Sequence, residues 1–547
     1  MGVSRLISIF GIAVSLLFCS LAYAEVPWRK FSYFDNRGGL NDQLSAIEIA
    51  DNEASDIQNV VFDSGGAIKK RYGYTTIPTT SSIDVSRTIV GITGLAFYKK
   101  DDTNRYLVAI AVSDNAPRVY RKTYDVGGGL PNTAWIDITK NLPTTGYSVD
   151  YLADFVEAQD TLVLTLDATI QQKPFKWTGT GEIENLTSDA DCPAVTIVEY
   201  HKNHLCLSGN DTYPSRVYFS ELDDITTYTA TDFFDVDTSD GTRVRGLLST
   251  FDALYIFKDY SIWRLTGTNR DDFVLEKVVT GIGTMSQQSI AVVNNLIYFT
   301  TSKNDIAVYD GAYTIKFISS KIRETISGLN FSRTTNNLGI AFSTYRHNDF
   351  DYYCAVSLAG SGTNNRVLLF DTAYGAWTKF KGMNANAWVV GEDSSGKGAL
   401  FFGDYYGNVH QYPATTYDDG SLSQAAIDAY YQTKWFRYPD IALGDKYWRL
   451  LRTYTLTETS DIYLNAELRS DYETTGEEIL ISLYSGGSLW DSAIWDEDTW
   501  AGQTLNIDRE EVEKGKDMFQ IKYSNDTLSE GFTIIGFDMF IEPTDRI

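Results

Sequence analysis

The feature that most constrains the fold is a repeat of roughly 40 residues, which is the length of a propeller blade. Several units share one order, in which an apolar strand is followed by a polar turn and a second strand that ends in an aromatic residue. Examples are ALYIFKD then SIWRL, and LIYFTT then DIAVYDG. A single blade of this kind buries both sheet faces only by packing against neighbours, which favours a ring.

We therefore predict an all-β chain with a β-propeller over residues 88–416. About seven blades are expected, with six to eight allowed. The seven units that the pattern delimits are 88–145, 146–190, 191–236, 237–284, 285–330, 331–382 and 383–416.

The pattern changes after Asp418-Asp419-Gly420, where longer alternating segments of about 7 to 11 residues begin. They predict a C-terminal antiparallel β-sandwich over residues 421–547. This stretch holds 24 Asp and Glu against 11 Lys and Arg, a net charge of -13. Because that is half of the charge of the whole chain, we expect a separate unit with its boundary at this turn. The expected strands are Ala426–Thr433, Tyr447–Thr457, Asp461–Arg469, Glu478–Tyr484, Met518–Ser524 and Phe532–Glu542.

Residues 25–87 precede the first blade and predict a segment of hairpin and helix that joins the ring or propeller. Asp51 is placed to cap a short helix that runs through Asn59. Val60–Phe62 and Ala67–Lys70 flank the turn Asp63–Gly66 and predict a β-hairpin.

The first 24 residues have the form of a signal peptide. Arg5 precedes the apolar run Leu6–Leu21, and Ala22-Tyr23-Ala24 fits a signal-peptidase site before Glu25. The run is short for a membrane span. Two interpretations stay open: a functional leader that directs export, or an upstream start or fused leader on a protein that needs none.

The formal net charge of the chain is -26. Proteins that grip nucleic acid need clustered Lys and Arg to displace the counterions of the phosphates. The excess of acidic over basic residues therefore disfavours ordinary DNA binding.

Two blocks of short motifs resemble one known family. The first block is GGLN (Gly38 to Asn41), then the D-x-E-A stretch from Asp51, QNVVFD (Gln58 to Asp63) and KRYGY (Lys70 to Tyr74). The second block includes RVYFSELDD, LYIFKDYSIWRLTG, NNLIYFTTSKNDIAVYDG, FGDYYGNVHQY, DDG (Asp418 to Gly420) and QTKWF (Gln432 to Phe436). In their order and spacing these motifs resemble the nozzle proteins of short-tailed phages, also called tail tubular protein B or packaged-DNA stabilisation proteins.

This resemblance implies a structural virion protein located in the phage tail. It implies a homo-hexameric ring that continues the DNA channel below the portal and adaptor ring, retains packaged DNA and allows its ejection. Further partners would be tail fibre or tailspike proteins, with a contact to the host surface as an additional expectation. Double-stranded DNA would pass through without specific binding, and no cofactor is implied.

The cysteines disfavour an extracellular disulfide scaffold. Cys19 lies in the leader, which leaves Cys192, Cys206 and Cys354, an odd number in over 500 residues. A bridge between Cys192 and Cys206 stays open, and otherwise these cysteines are expected to be small buried apolar residues.

The sequence predicts no catalytic, metal or cofactor site. His201 and His204 are the only histidine pair with ligand-like spacing, and on one strand positions i and i+3 point to opposite faces, so a surface or turn role is expected. Asp349 with Asp351, and Asp235 with Asp237, each place two acids on one strand face. A glycosidase or a Ca²⁺ site could use such pairs, but solvated turn and edge acids are the simpler interpretation.

Trp490, Trp495 and Trp500 recur at five-residue spacing in SLWDSAIWDEDTW. They predict either an exposed aromatic loop for a protein or glycan contact, or a cover over the sandwich core.

Two functions from different classes fit these features. One is the structural nozzle of a phage tail, which acts without a reaction of its own. The other is an exported β-propeller protein that binds or hydrolyses surface polysaccharide, which the leader and the aromatic residues would fit.

Overall fold

The structure is a computed structural model, and it describes residues 28–77, 83–124, 134–167, 171–312, 314–330, 337–343, 350–393, 395–420, 424–437, 446–458, 461–484, 505–515 and 517–543. The chain divides into two compact units. The propeller unit comprises residues 35–434 and 522–533. The sandwich unit comprises residues 1–34, 435–521 and 534–547.

Seven four-stranded antiparallel sheets, within the described residues of the propeller unit, form the blades of a β-propeller. Blades one to three are built from β7 (Ile89–Lys99), β8 (Arg105–Ser113), β9 (Ala116–Tyr124) and β10 (Ile136–Asp137); β11 (Ala153–Ala158), β12 (Thr161–Leu166), β13 (Phe175–Trp177) and β14 (Glu184–Asn185); and β15 (Ile197–His201), β16 (His204–Ser208), β17 (Arg216–Phe219) and β18 (Phe233–Asp235). Blades four and five are built from β19 (Val244–Thr250), β20 (Ala253–Lys258), β21 (Ser261–Thr266) and β22 (Val274–Thr280), and from β23 (Ala291–Val293), β24 (Leu296–Thr300), β25 (Ile306–Tyr309) and β26 (Ile315–Phe317).

A short helix, α1 (Arg323–Ser327), separates blade five from blade six. Blade six is built from β27 (Leu338–Phe342), β28 (Asp351–Val356), β29 (Arg366–Asp371) and β30 (Ala376–Lys381). Blade seven takes three strands from the end of the repeat, which are β31 (Ala387–Glu392), β32 (Gly398–Gly403) and β33 (Val409–Tyr412). The predicted all-β fold with about seven blades is confirmed.

The ring is closed by a strand that precedes the first blade in the sequence. β6 (Thr75–Ile77) pairs antiparallel with β33 and supplies the outermost strand of blade seven. The innermost strand of this blade, β31, also contacts β7 of blade one. Blade seven is therefore held on one side by a hydrogen-bonded strand and on the other by packing.

The core lies between neighbouring blades. Leu164 of blade two belongs to one buried cluster with Val108 of blade one, and Phe401 of blade seven belongs to another with Leu107 of blade one. Tight turns join the first two strands of blades three, four and five. Both residues of each turn have a positive φ angle, and they are residues 202 and 203, 251 and 252, and 294 and 295. Two consecutive positive φ angles suit the right-handed twist of a hairpin, and Asn and Asp tolerate them.

Residues 35–77 contain strands where we expected a helix. β2 (Gly39–Leu40) pairs in parallel with β3 (Glu53–Gln58), and β3 pairs antiparallel with β36 (Ala429–Thr433). The prediction of a helix from Asp51 to Asn59 is wrong, because a distant partner strand takes up the backbone hydrogen bonds of β3. The predicted hairpin forms as β4 (Val60–Phe62) and β5 (Ile68–Lys70).

The remaining strands include the predicted antiparallel C-terminal sandwich, which is confirmed. They are β34 (Asp418–Asp419), β35 (Ala425–Ala426), β37 (Phe436–Arg437), β38 (Lys446–Leu456), β39 (Tyr463–Ser470), β40 (Glu477–Ser482), β41 (Leu505–Gly515), β42 (Met518–Asn525) and β43 (Thr533–Pro543). In the sandwich unit, β38 lies between β41 and β43, and β1 (Arg29–Tyr33) pairs with the other edge of β43.

Aromatic side chains fill the core of the sandwich unit. The ring of Phe519 lies 4.4 Å from Trp448, 5.3 Å from Phe436 and 5.9 Å from Phe31, measured between ring centroids. Phe31 comes from the N-terminal strand β1, which the sequence did not place in this unit. We expected the unit to start at residue 421, whereas the compact units divide at Lys434 and Trp435 and share the C-terminal residues between them.

Candidate functional site

The residues that carry the family resemblance meet at one buried arginine, Arg71. Its guanidinium donates to both carboxylate oxygens of Asp419, at 2.7 and 2.5 Å, and to Asn59 Oδ1 at 2.9 Å. Two more hydrogen bonds reach the carbonyl oxygens of Tyr72 and Lys381, at 3.0 and 2.9 Å. All five N–H donors of the guanidinium are thus used.

Asn59 also connects the first motif block to the segment between DDG and QTKWF. Its Nδ2 donates to the carbonyl oxygen of Asp428 at 2.8 Å, and Gln58 Nε2 donates to the carboxylate of the same residue at 2.9 Å. The φ angle of Asn59 is 55°, a left-handed conformation in which asparagine is enriched. This explains why QNV precedes the hairpin: the asparagine makes the turn and its side chain holds both Arg71 and Asp428.

Lys70 and Asp418 hold the returning segment 522–533 of the propeller unit. Lys70 Nζ donates to Asn525 Oδ1 at 2.7 Å, and the Asp418 carboxylate accepts from the Ser529 hydroxyl at 2.6 Å. Burial lowers the pKa of Lys70 to about 8. We call Asn59, Lys70, Arg71, Asp418 and Asp419 the strand junction. Their polar atoms bond to other parts of the chain, so this set holds segments together rather than a ligand.

A groove of about 470 Å³ lies beside blade six in the propeller unit. This volume falls within the range of ligand sites, roughly 300 to 1,000 Å³. On its wall, the Asp56 carboxylate accepts from Lys379 Nζ at 2.6 Å and from the Tyr430 hydroxyl at 2.8 Å. Arg366 has no carboxylate partner among the described residues. Its Nη1 donates to the carbonyl oxygen of Asn365 at 2.8 Å, and burial lowers its pKa. The groove thus offers guanidinium donors to an anionic or carbonyl group.

The central channel of the propeller has a second group of polar side chains. The innermost strand of a blade has one edge without a strand partner, and neighbouring side chains reach some of these backbone groups. Asp154 Oδ2 accepts the N–H of Val198 at 3.0 Å, and Gln287 Oε1 accepts the N–H of Leu247 at 2.8 Å.

Burial raises the pKa of two channel carboxyls. The pKa of Asp154 rises to about 7, and that of Glu199 rises to about 8 through burial and the nearby Asp154 charge. Two cavities of about 150 and 160 Å³ lie along the channel. Both are smaller than the roughly 300 Å³ at which ligand sites begin. The space suits water or a small ion better than a sugar.

The surface role predicted for His201 and His204 is wrong, whereas the alternative of a turn role is right, because the two residues flank a tight turn. They end β15 and begin β16, face each other as a cross-strand pair, and are 3% and 4% exposed. We expected the two side chains to point to opposite faces of one strand. They do not, because a two-residue turn lies between them and reverses the chain. His204 Nδ1 lies 2.6 Å from the carbonyl oxygen of Ser220, and His201 Nδ1 lies 2.8 Å from Ser249 Oγ. Burial lowers the pKa of His201 to about 4. Both rings therefore have structural hydrogen bonds.

The structure describes three of the four acids in the two predicted pairs and none of the three tryptophans. Asp235 receives two hydrogen bonds from Arg216, at 2.8 and 2.9 Å, and Asp237 accepts from Lys277 Nζ at 2.7 Å, so each acid has its own cation. Asp351 is buried in β28. Asp349, Trp490, Trp495 and Trp500 lie outside the described residues, so the aromatic-loop prediction stays a prediction.

Cys192 and Cys206 do not form the disulfide that the sequence left open. Cys192, Cys206 and Cys354 are buried free thiols, and burial raises the pKa of Cys192 to about 12. No group of three or more His, Cys, Asp or Glu within the described ranges could hold a metal ion. The same residues include no helix long and apolar enough to cross a membrane.

Several of these residues have no recognisable signal in the sequence. Asp154, Glu199 and Arg366 look like ordinary strand residues, because their burial arises only when distant blades and segments come together. The KRYGY and DDG motifs stand out in the sequence, but nothing local shows that Arg71 and Asp419 bond to each other.

No family model matches this sequence, and no curated protein does. Solved structures with similarity include the WD40 domain of Neurospora crassa Pan2, with 6% identity, a TM-score of 0.35, and coverage of 63% of this chain and 94% of that one. The extracellular domain of a putative hybrid two-component system from B. thetaiotaomicron matches at 12% identity and a TM-score of 0.30, over 82% of this chain and 47% of that one. An exo-β-1,3-galactanase from Phanerochaete chrysosporium matches at 10% identity and a TM-score of 0.24, over 86% and 99%. These values carry no functional information.

Proposed function

We propose that this chain is a structural protein of the phage tail, a nozzle subunit that forms a ring below the portal and adaptor. In this role it retains packaged DNA and allows its ejection, and it works without a reaction of its own. The proposal rests on the motif resemblance of the sequence, and the strand junction supports it.

The strand junction is the structural observation that supports the proposal. Asn59, Arg71 and Asp419 belong to the motifs of the resemblance, and Arg71 donates to both of the others in the interior of the propeller unit. Motif residues that bond within the scaffold fit a structural protein, whereas an enzyme motif would place reactive groups at an accessible pocket.

The charge of the chain fits the transport of a polyanion. With a formal charge of -26, six copies would surround the bore with a strongly negative field. Such a field repels phosphates, so a duplex would slide rather than adhere. Retention would then be steric and would depend on loops that narrow the bore. Portal, adaptor and tail fibre or tailspike proteins are the proposed partners.

Electron cryomicroscopy of purified tails, together with mass photometry of the isolated protein, tests the proposal. We expect a multimer, most simply a hexamer, located between the adaptor and the tail tip. A version that begins at Val26 should assemble equally well, because the ring does not require the leader. A stable monomer that is absent from virions would overturn the proposal.

A parallel experiment tests the exported alternative. Mass spectrometry should locate the N-terminus of the protein from virions and from periplasm, and glycan binding and hydrolysis should be assayed on both. Recovery only from the periplasm, with cleavage after Ala24 and hydrolysis that one carboxylate substitution abolishes, would show a polysaccharide-active protein instead.

A further inference from the structure

Lys70, Asn525 and Glu530 form a row of three side chains in the propeller unit. Lys70 Nζ donates to Asn525 Oδ1 at 2.7 Å, and Asn525 Nδ2 donates to Glu530 Oε2 at 2.8 Å. A lysine amine donates and an ionised carboxylate accepts, so these two neighbours fix which way the amide faces. The amine therefore lies on the oxygen side of the amide, and the carboxyl group lies on its nitrogen side.

The amine and the amide of this row are buried. Lys70 is 0% exposed and Asn525 is 6% exposed. Lys70 ends β5, and Asn525 ends β42. The turn that carries Glu530 is closely packed, because a Cβ atom at Gly531 would lie 2.2 Å from the ring of Tyr417. Two strands and one packed turn thus hold the three side chains against each other.

The surroundings of the Lys70 amine favour its neutral form. Burial is the largest effect, and it lowers the pKa of Lys70 to about 8. Arg71 acts in the same direction, whereas Glu530, Asp418 and Asp526 favour the charged amine. About half of these amines are therefore neutral at about pH 8, and a neutral, desolvated lysine amine is a nucleophile.

These contacts place a nucleophile beside a carbonyl carbon. Cγ of Asn525 is bonded directly to the oxygen atom that the Lys70 amine contacts, and such proximity replaces an encounter in solution. Glu530 contacts the amide nitrogen that would leave, so its carboxyl group can carry protons to that atom. We propose that Lys70 and Asn525 join in an intramolecular isopeptide bond, with Glu530 as the proton carrier. This covalent link goes beyond the proposed tail function and does not depend on it.

The reaction needs no oxidant, reductant or second substrate. The Glu530 carboxylate takes one proton from the ammonium group of Lys70, and the neutral amine attacks Cγ of Asn525. The bond between Nζ and Cγ forms, and the bond between Cγ and Nδ2 breaks. Glu530 passes two protons in turn from Nζ to Nδ2, which leaves as an ammonium ion. One ammonium group is consumed and one ammonium ion is released, so atoms and charge balance and Glu530 returns to its carboxylate form.

The link would close a covalent loop around the whole propeller. Residues 70 and 525 are 455 positions apart, and every strand of the seven blades, β6 to β33, lies between them. Closing a long loop restricts the unfolded chain more than closing a short one. The bond would therefore stabilise the folded propeller unit and would keep its two ends together even after unfolding.

Peptide mapping of the full-length protein tests the proposal, because an amide bond survives denaturation. Trypsin cuts after Lys522 and Arg546, and we expect peptide 523–546 to be joined to Lys70, with the loss of one ammonia molecule. Lys70→Arg keeps the positive charge but cannot form this bond, so its peptides should be separate and it should migrate more slowly on a denaturing gel. Lys69→Arg is the matched control, because Lys69 Nζ bonds to the Tyr72 hydroxyl at 2.9 Å, and it should stay linked.

Glu530→Gln separates the chemistry from the folding. The variant keeps the shape of the side chain but cannot carry a proton, so the circular dichroism should be unchanged while the linked fraction falls at least about tenfold. Asp526→Asn is the control for this variant, because Asp526 is an exposed acid in the same turn, and it should link as fully as the parent. Unlinked Lys70 in the parent, or equal linkage in Glu530→Gln, would each overturn the proposal.

Discussion

Arg71 donates two hydrogen bonds to Asp419, a residue 348 positions later in the chain, at 2.7 and 2.5 Å. The side chain of Arg71 is 0% exposed and that of Asp419 is 8% exposed. Arg71 lies just before β6, which enters blade seven, and Asp419 lies just after β33, which leaves it. The pair therefore connects the two ends of the ring.

Asp419→Asn should destabilise the propeller unit strongly. The substitution leaves the buried guanidinium without its counter-charge, and breaking a buried pair in this way costs about 3 to 5 kcal/mol of unfolding free energy. Urea unfolding followed by tryptophan fluorescence measures the change. Asp35→Asn is the control, because the Asp35 to Arg37 pair is 47% and 51% exposed and should contribute far less. Equal shifts for the two variants would contradict this prediction.

Gly73→Ala should lower the melting temperature, whereas Gly65→Ala should not. A Cβ atom at Gly73 would lie 1.8 Å from the carbonyl oxygen of Asp418, so the backbone of the strand junction must move. Overpacking of this kind costs about 1 to 3 kcal/mol. At Gly65 the nearest atom is a side-chain oxygen of Asp63 at 3.3 Å, which can shift. Calorimetry on both variants tests the difference, and a neutral Gly73→Ala would show that the junction is looser than described.

Glu199→Gln should flatten the dependence of stability on pH. Burial and the Asp154 charge raise the pKa of Glu199 from 4.5 to about 8, so between these values the folded state keeps a proton that the unfolded chain releases. The contribution to stability is thus complete below about pH 4.5 and is lost as the pH rises to about 8. A single group contributes at most about 1.4 kcal/mol per pH unit.

Unfolding curves at several pH values between about 4.5 and 8.5 measure this effect. The Gln variant should match the parent in acid and be the more stable protein at about pH 8. Glu182→Gln, at a carboxylate that is 58% exposed, should run parallel to the parent. Parallel curves for Glu199→Gln would show that the channel carboxyl titrates normally.

The fragment Ser421–Ile547 should not fold by itself. It lacks β1, which pairs with β43 in the sandwich unit, and it lacks β3, which pairs with β36 in the propeller unit. We expect poor solubility and no cooperative melting. Limited proteolysis of the whole protein should also spare Asp418 and Asp419, which are 1% and 7% exposed. A soluble fragment with a sharp transition would favour the boundary that the charge pattern predicted.

The sequence predicted the blades well, because the information is local: apolar strands, tight turns and a constant period recur about every 40 residues. It did not predict the outer strand of blade seven, since Thr75–Ile77 is only three residues long and its partner lies at the far end of the repeat. The strand Glu53–Gln58 was predicted as a helix for the same reason. The channel carboxyls look ordinary in the sequence, and only the closed ring gives them their burial.

The closure of blade seven has a consequence for synthesis on the ribosome. Thr76 and its cross-strand neighbour His410 are separated by 334 residues. At translation rates of about 5 to 20 residues per second, the first strand waits on the order of tens of seconds before its partner emerges. During this interval the nascent chain exposes an unpaired strand and the apolar faces of incomplete blades. Chaperones that protect nascent chains should therefore matter most before residue 412 has left the exit tunnel, and synonymous codons that slow translation there should lower the yield of soluble protein.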